Sequence, residues 1–96
     1  MAYLMFRGKV KDYETWKPMF DGLADIRKEY GAKGGRLFRI ADNPNELVVL
    51  MEWESIEKAR KYTQSEHIKK AFERGGVIGK PESLFSFLEE VEQVSV

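Results

Sequence analysis

His67 is the only histidine in a 96-residue chain that has no cysteine. It is therefore the one side chain whose ordinary pKa lies near neutrality, and the natural candidate to move a proton at physiological pH. Ser65, two residues earlier, is a good helix N-cap type. In that case His67 falls in the first helical turn, where the positive end of the dipole favours a neutral imidazole able to act as a base. The competing use is a surface side chain beside Glu66 and Lys70. No Ser, Cys or Asp stands at a spacing that would make His67 the partner of a nucleophile. A metal site lacks ligands: one His and no Cys per chain fall short of a protein-held zinc or iron.

The second group able to form a site is aromatic. Trp16 and Phe20 share a helix face, and Trp53, Tyr62 and Phe72 lie on elements that should oppose it. Together they either line a pocket for a flat apolar ligand or fill a core. Arg7, Arg36 and Arg39 sit on strands. There an arginine can clamp an anion or pair with a carboxylate across the sheet, and Glu52 and Glu54 are the expected partners. The run GAKGG lacks the Lys-Ser/Thr step of a phosphate loop.

These side chains need positioning elements. Ala2 to Val10 reads as a strand. Asp12 offers an N-cap for a helix with one apolar stripe, Trp16, Met19, Phe20, Leu23, Ile26 and Tyr30, ended by Gly31. Pro18 should kink its first turn or mark its start. Lys33 to Ala41 and Leu47 to Glu54 form a hairpin around DNPN. Ser55 and Ser65 each cap a short helix, Gly75 and Gly76 end the second, and Pro81 precedes a last strand from about Ser83 to Val91. Charged i, i+4 pairs (Glu57 with Lys61, Glu66 with Lys70, Lys69 with Glu73) mark a solvated helix face.

The order strand, helix, strand, strand, helix, strand is the ferredoxin-like βαββαβ pattern of the α+β class. Right-handed crossovers place both helices on one face of a four-stranded antiparallel sheet. The other face should then be polar, but it is not. Val48 and Leu50 oppose Leu47, Val49, Met51 and Trp53; Tyr3 and Met5 oppose Leu4 and Phe6; Leu84 and Leu88 oppose Phe85 and Phe87. Leaving half a dozen such side chains in water forgoes on the order of 10 kcal/mol, comparable with the stability of a small domain. The expected partner is a second copy of the chain, sheet against sheet about a two-fold axis.

Composition narrows the remaining classes. One domain fills residues 1 to 96. Sixteen basic and sixteen acidic residues cancel, which removes the electrostatic footprint of a nucleic-acid binder. The apolar runs are too short for a bilayer span, and the opening MAYLMFRGKV lacks a basic leader and a cleavage site. A cytoplasmic location, with neither membrane nor nucleic acid as partner, is expected.

The run VVLMEWESIEKARKYTQSEHIKKAF resembles the strand–helix segment of the dimeric α/β-barrel superfamily, in particular its antibiotic-biosynthesis-monooxygenase-like domains. That resemblance implies two ferredoxin-like sheets closing into a barrel across a homodimer, with a cavity between each sheet and its helices. Such proteins include cofactor-free oxygenases of polycyclic aromatics, haem-degrading enzymes, isomerases, cyclases and proteins without a known reaction. Haem degradation relies on an Asn, a Trp and an axial His. Aligned on Trp53-Glu54-Ser55, the Trp position falls on Tyr62, the His position on Phe72 and the Asn position near Phe6, so all three point away from it. The function implied is cofactor-independent oxygenation, or a related proton transfer, on a small hydrophobic or aromatic molecule. His67 would be the acid–base group, Trp16, Phe20, Trp53, Tyr62 and Phe72 the walls, and no cofactor would take part. The alternatives are a module that binds or senses such a molecule without chemistry, and a plain structural dimer with a filled interior.

Overall fold

The computed structural model describes all 96 residues. Strand β1 spans Ala2–Val10 and leads into helix α1, Tyr13–Gly22, whose N-terminus is capped by the Asp12 carboxylate accepting from the Thr15 N–H at 3.1 Å. Pro18 lies inside α1, and the interruption falls later, at Leu23. There the Leu23 N–H turns back to the Phe20 carbonyl at 3.2 Å, a tightened last turn after Gly22, and α2 continues from Ala24–Tyr30. Gly31, with φ of 115°, stops α2 as expected.

Strands β2, Ala32–Ile40, and β3, Asn43–Trp53, are joined by a tighter turn than DNPN implied. Ile40 pairs with Asn43, so only Ala41 and Asp42 turn. The pairing resumes at Arg39 with Leu47, leaving Pro44 to Glu46 without partners on β2. Pro44 cannot donate to a ladder, which is why the irregularity sits there. The freed Asn45 side chain accepts from the Tyr13 N–H at 3.0 Å and ties the hairpin to the start of α1. A second irregularity at Gly34 brings Gly35 so close to β3 that a Cβ there would stand 2.7 Å from the Met51 Cα.

Helix α3, Ile56–Thr63, is capped by the Ser55 hydroxyl; α4, Glu66–Gly75, follows the break at Gln64 and Ser65. The last strand arrives in two pieces. β4, Val77–Ile78, and β5, Phe85–Glu89, both pair with β1, and between them Pro81 opens a single helical turn, α5, Pro81–Leu84. The expected strand start at Ser83 is thus corrected to Phe85. Leu84 belongs to α5 and packs with Phe6 and Val10 on the helix side, not on the open face.

The antiparallel order β2-β3-β1-β5, with β4 also on β1, is the ferredoxin-like α+β fold. Alternation sorts the strand residues cleanly. Leu4, Phe6, Val10, Leu47, Val49 and Trp53 turn toward the helices and are buried with Trp16, Ala59, Tyr62 and Ile68. On the other face, paired across the strands, stand Tyr3, Met5, Val48, Leu50, Phe38 and Leu88, with Phe38 48% and Leu88 38% exposed. No helix is long and apolar enough to cross a membrane.

Candidate functional site

Between the helices and the sheet lies a cavity of about 60 Å³, bordered by fifteen residues of which fourteen are hydrophobic. Helix α1 supplies Trp16, Met19 and Phe20; the sheet supplies Leu4, Phe6, Val49, Met51, Trp53 and Phe85; α3 and α4 supply Tyr62, Ile68, Ala71 and Phe72. All five aromatic residues singled out in the sequence border this one space. Trp16 and Phe20 are stacked at 4.8 Å, Trp53 and Tyr62 meet at 5.2 Å, and Phe72 meets Phe6 edge-on at 5.7 Å. The lining can approach this closely because α1 and α4 cross at Gly75. A Cβ on Gly75 would lie 2.5 Å from the Met19 Cε and 3.1 Å from the Trp16 Cδ1.

The volume is small beside the ~300 Å³ at which ordinary ligand pockets begin. Its mostly apolar lining offers water few hydrogen-bond partners. A ring entering it displaces side chains, and Met19 and Met51, unbranched and flexible, are those that yield most easily.

The fifteenth lining residue is Arg27, which the sequence reading passed over. It lies on α2 four residues after Leu23 and seven after Phe20, within the apolar stripe, and that position was the available signal. The residue is 8% exposed. Nη1 donates to the Phe20 carbonyl at 2.8 Å, and the guanidinium lies over the Phe20 ring at 4.0 Å. None of the chain's five ion pairs includes it. Holding a desolvated cation without a counter-charge costs several kcal/mol, roughly, after relaxation. Beside it, burial pushes the Tyr62 phenol above its ordinary pKa, partly opposed by the Arg27 charge, so Tyr62 is a neutral hydroxyl at physiological pH. Trp53, 2% exposed, adds a further polar atom to the wall: its Nε1–H has no acceptor in the protein.

His67 is not among the lining residues. It stands on the exposed side of α4, edge-on to Tyr30 at 6.1 Å. The Ser65 hydroxyl also departs from expectation: it donates to the Tyr62 carbonyl at 2.7 Å and accepts nothing from α4. Two of the strand arginines find other partners than Glu52 and Glu54, and Arg36 forms no ion pair. Arg7 meets Glu46 at 3.0 Å and Arg39 lies over the Tyr13 ring at 4.7 Å, while Lys33 meets Glu52 at 3.9 Å and Lys58 meets Glu54 at 3.0 Å. Of the helix pairs foreseen on α4, Glu66 instead takes Lys69 at 3.5 Å, one turn position shorter.

Comparison with known proteins gives the arrangement a context. The family model described as antibiotic biosynthesis monooxygenase matches residues 4–74. No curated protein matches the chain. Among solved structures, SnoaB, a cofactor-independent oxygenase from Streptomyces nogalater, superposes with a TM-score of 0.73 at 13% identity, over 97% of this chain and 95% of that one. A Caulobacter crescentus CB15 protein, proposed to be an antibiotic biosynthesis monooxygenase, gives 0.72 at 20% identity over 95% and 90%. A conserved protein from Methanosarcina mazei Go1 gives 0.67 at 14% identity over 93% and 91%. At these identities the likeness is one of fold.

Proposed function

Because the chain belongs to the antibiotic biosynthesis monooxygenase family, we propose that its cavity receives a small aromatic molecule and promotes its direct oxygenation by O₂, without a cofactor. The observation that carries this reading is the lining itself: fourteen of its fifteen residues are hydrophobic, Arg27 is the exception, and the indole N–H of Trp53 is unengaged. Such walls select flat apolar molecules and exclude water from an oxidation. The substrate supplies the electrons. A substrate methylene gives up two hydrogens, one oxygen atom becomes the new carbonyl, and the other leaves as water.

Trp16, Phe20, Trp53, Tyr62 and Phe72 act here as walls. His67 stands apart from the cavity, on the exposed side of α4. The lining thus holds no group that titrates near neutrality, which also favours a second reading: a module that binds the same molecule and leaves it unchanged. Oxygen uptake separates the two. With metal-free protein, a panel of phenolic polycyclic aromatics should include one whose addition starts O₂ consumption above the protein-free rate, with a product heavier by one oxygen and lighter by two hydrogens. Ligand binding without O₂ uptake across the panel would leave only the binding module.

The site is proposed to work within a homodimer. Six apolar side chains on the open face, Tyr3, Met5, Phe38, Val48, Leu50 and Leu88, are spread across four strands, with Arg7, Arg36 and Glu52 on the same face. A second copy presenting the same face about a two-fold axis buries them, consistent with the barrel-forming assembly that the fold permits. Sedimentation at micromolar concentration should report twice the 11.2 kDa chain mass.

A further inference from the structure

We infer that the ligand of the cavity is an aromatic molecule bearing an anionic oxygen (a carboxylate, phenolate or enolate), with Arg27 as its counter-charge and the Trp53 indole N–H as a second donor. The inference rests on the reading of the cavity as a small-molecule site and adds the charge of what it takes. Arg27 borders the cavity at 8% exposure, yet no Asp or Glu oxygen comes within 4.0 Å of it. What it does touch, the Phe20 carbonyl, the Phe20 ring and the neutral Tyr62 hydroxyl, is uncharged and leaves the cation without a balancing anion. Trp53 adds an unmet need of the same kind, because an indole nitrogen only donates. Both groups therefore ask for an acceptor, and the lining contains no carboxylate to provide one. An ionised oxygen supplies what each group lacks, with the charge-assisted hydrogen bonding that a guanidinium favours. An ammonium would meet a like charge. An alcohol would bring a surplus donor. The remaining walls are hydrocarbon and aromatic rings, which fix the rest of the molecule as a flat apolar body.

A purely structural role for Arg27 would be to hold the Phe20 carbonyl at the break between α1 and α2. The experiment separates the two roles with a matched pair of probes, benzoate and benzyl alcohol, titrated at neutral pH into the intact protein. Binding is read from the indole N–H resonance of Trp53, assigned with a Trp16→Phe variant. Benzoate should bind at least about tenfold more tightly than benzyl alcohol, the margin of a hydrogen-bonded charge. Arg27→Gln should remove that preference without lowering the urea midpoint, since an unpaired buried charge is dispensable for folding. Arg27→Lys, which keeps the charge, should retain part of the preference. Equal affinity for both probes in the unaltered chain overturns the inference and leaves the cavity as a small-molecule site. So does a preference that survives Arg27→Gln, or a fall in urea midpoint with the preference intact. If neither probe reaches the Trp53 resonance, the cavity reading and this inference fall together. Should Arg27→Gln not fold, the two probes on the unaltered chain and on Arg27→Lys decide the matter.

Discussion

The two faces of the sheet are made by the same strands in strict alternation, yet they differ in how completely each is finished within one chain. On the helix side, Leu4, Phe6, Val49 and Trp53 meet Trp16, Tyr62 and Ile68, and what remains is a small space with a cation in its wall. On the open side, Leu50, Val48 and Met5 have strand neighbours but nothing above them. Apolar side chains are thus present on both faces, with Arg7, Arg36 and Glu52 set among those of the open one. What distinguishes the faces is whether the chain supplies its own cover, and a polar feature on the covered side carries more information than another apolar residue on the open one.

That contrast can be broken most forcefully at Trp53. Trp53→Ala should cost about 3–5 kcal/mol of stability by urea unfolding, because it empties the centre of the covered face. A loss below about 1 kcal/mol would mean that this side is loosely filled, contrary to its burial. The open face answers to Leu50→Lys. It should weaken self-association on the order of 30-fold, about 2 kcal/mol, in sedimentation equilibrium, while the monomer keeps its fold. An unchanged particle mass would show that another surface holds the copies together. Gly75→Ala tests how tightly the cover is drawn: pressing on Met19 and Trp16, it should destabilise by about 1–3 kcal/mol.

The smallest effect belongs to the wall's hydroxyl. Tyr62→Phe should change stability by only about 0.5–1.5 kcal/mol at neutral pH. Burial raises the Tyr62 pKa, so the neutral phenol's contribution is complete below about pH 10 and disappears as pH rises through the higher folded value. In ultraviolet titration of the folded protein, Tyr62→Phe should remove a phenol that ionises later than free tyrosine.

Much of this was legible in sequence because period and residue type act locally. The Trp16–Phe20 stripe, the Asp12 and Ser55 caps and the Gly31 stop each follow from a few neighbouring residues. The cavity's aromatic wall could be assembled by asking which faces oppose each other. Rotation and depth could not. His67 precedes the inward-facing Ile68 by a single residue, and one residue turns a helix by roughly a quarter-circle or more, enough to carry it out to solvent. Arg27 was overlooked for the opposite reason. A stripe traced only through apolar residues omits the charged one lying on it, and the cost of burying that charge is visible only once its surroundings lack an acid. The α1–α2 break at Leu23 likewise depends on a backbone turn that Gly22 permits but does not require.

Both tryptophans of the chain, Trp16 and Trp53, border the same cavity. All of the molecule's indole fluorescence therefore originates at that wall, with no emission from elsewhere to dilute it. The protein carries an intrinsic dye at the place of interest: any occupant that quenches an indole, or shifts its colour by accepting the Trp53 proton, announces itself in the unlabelled native chain.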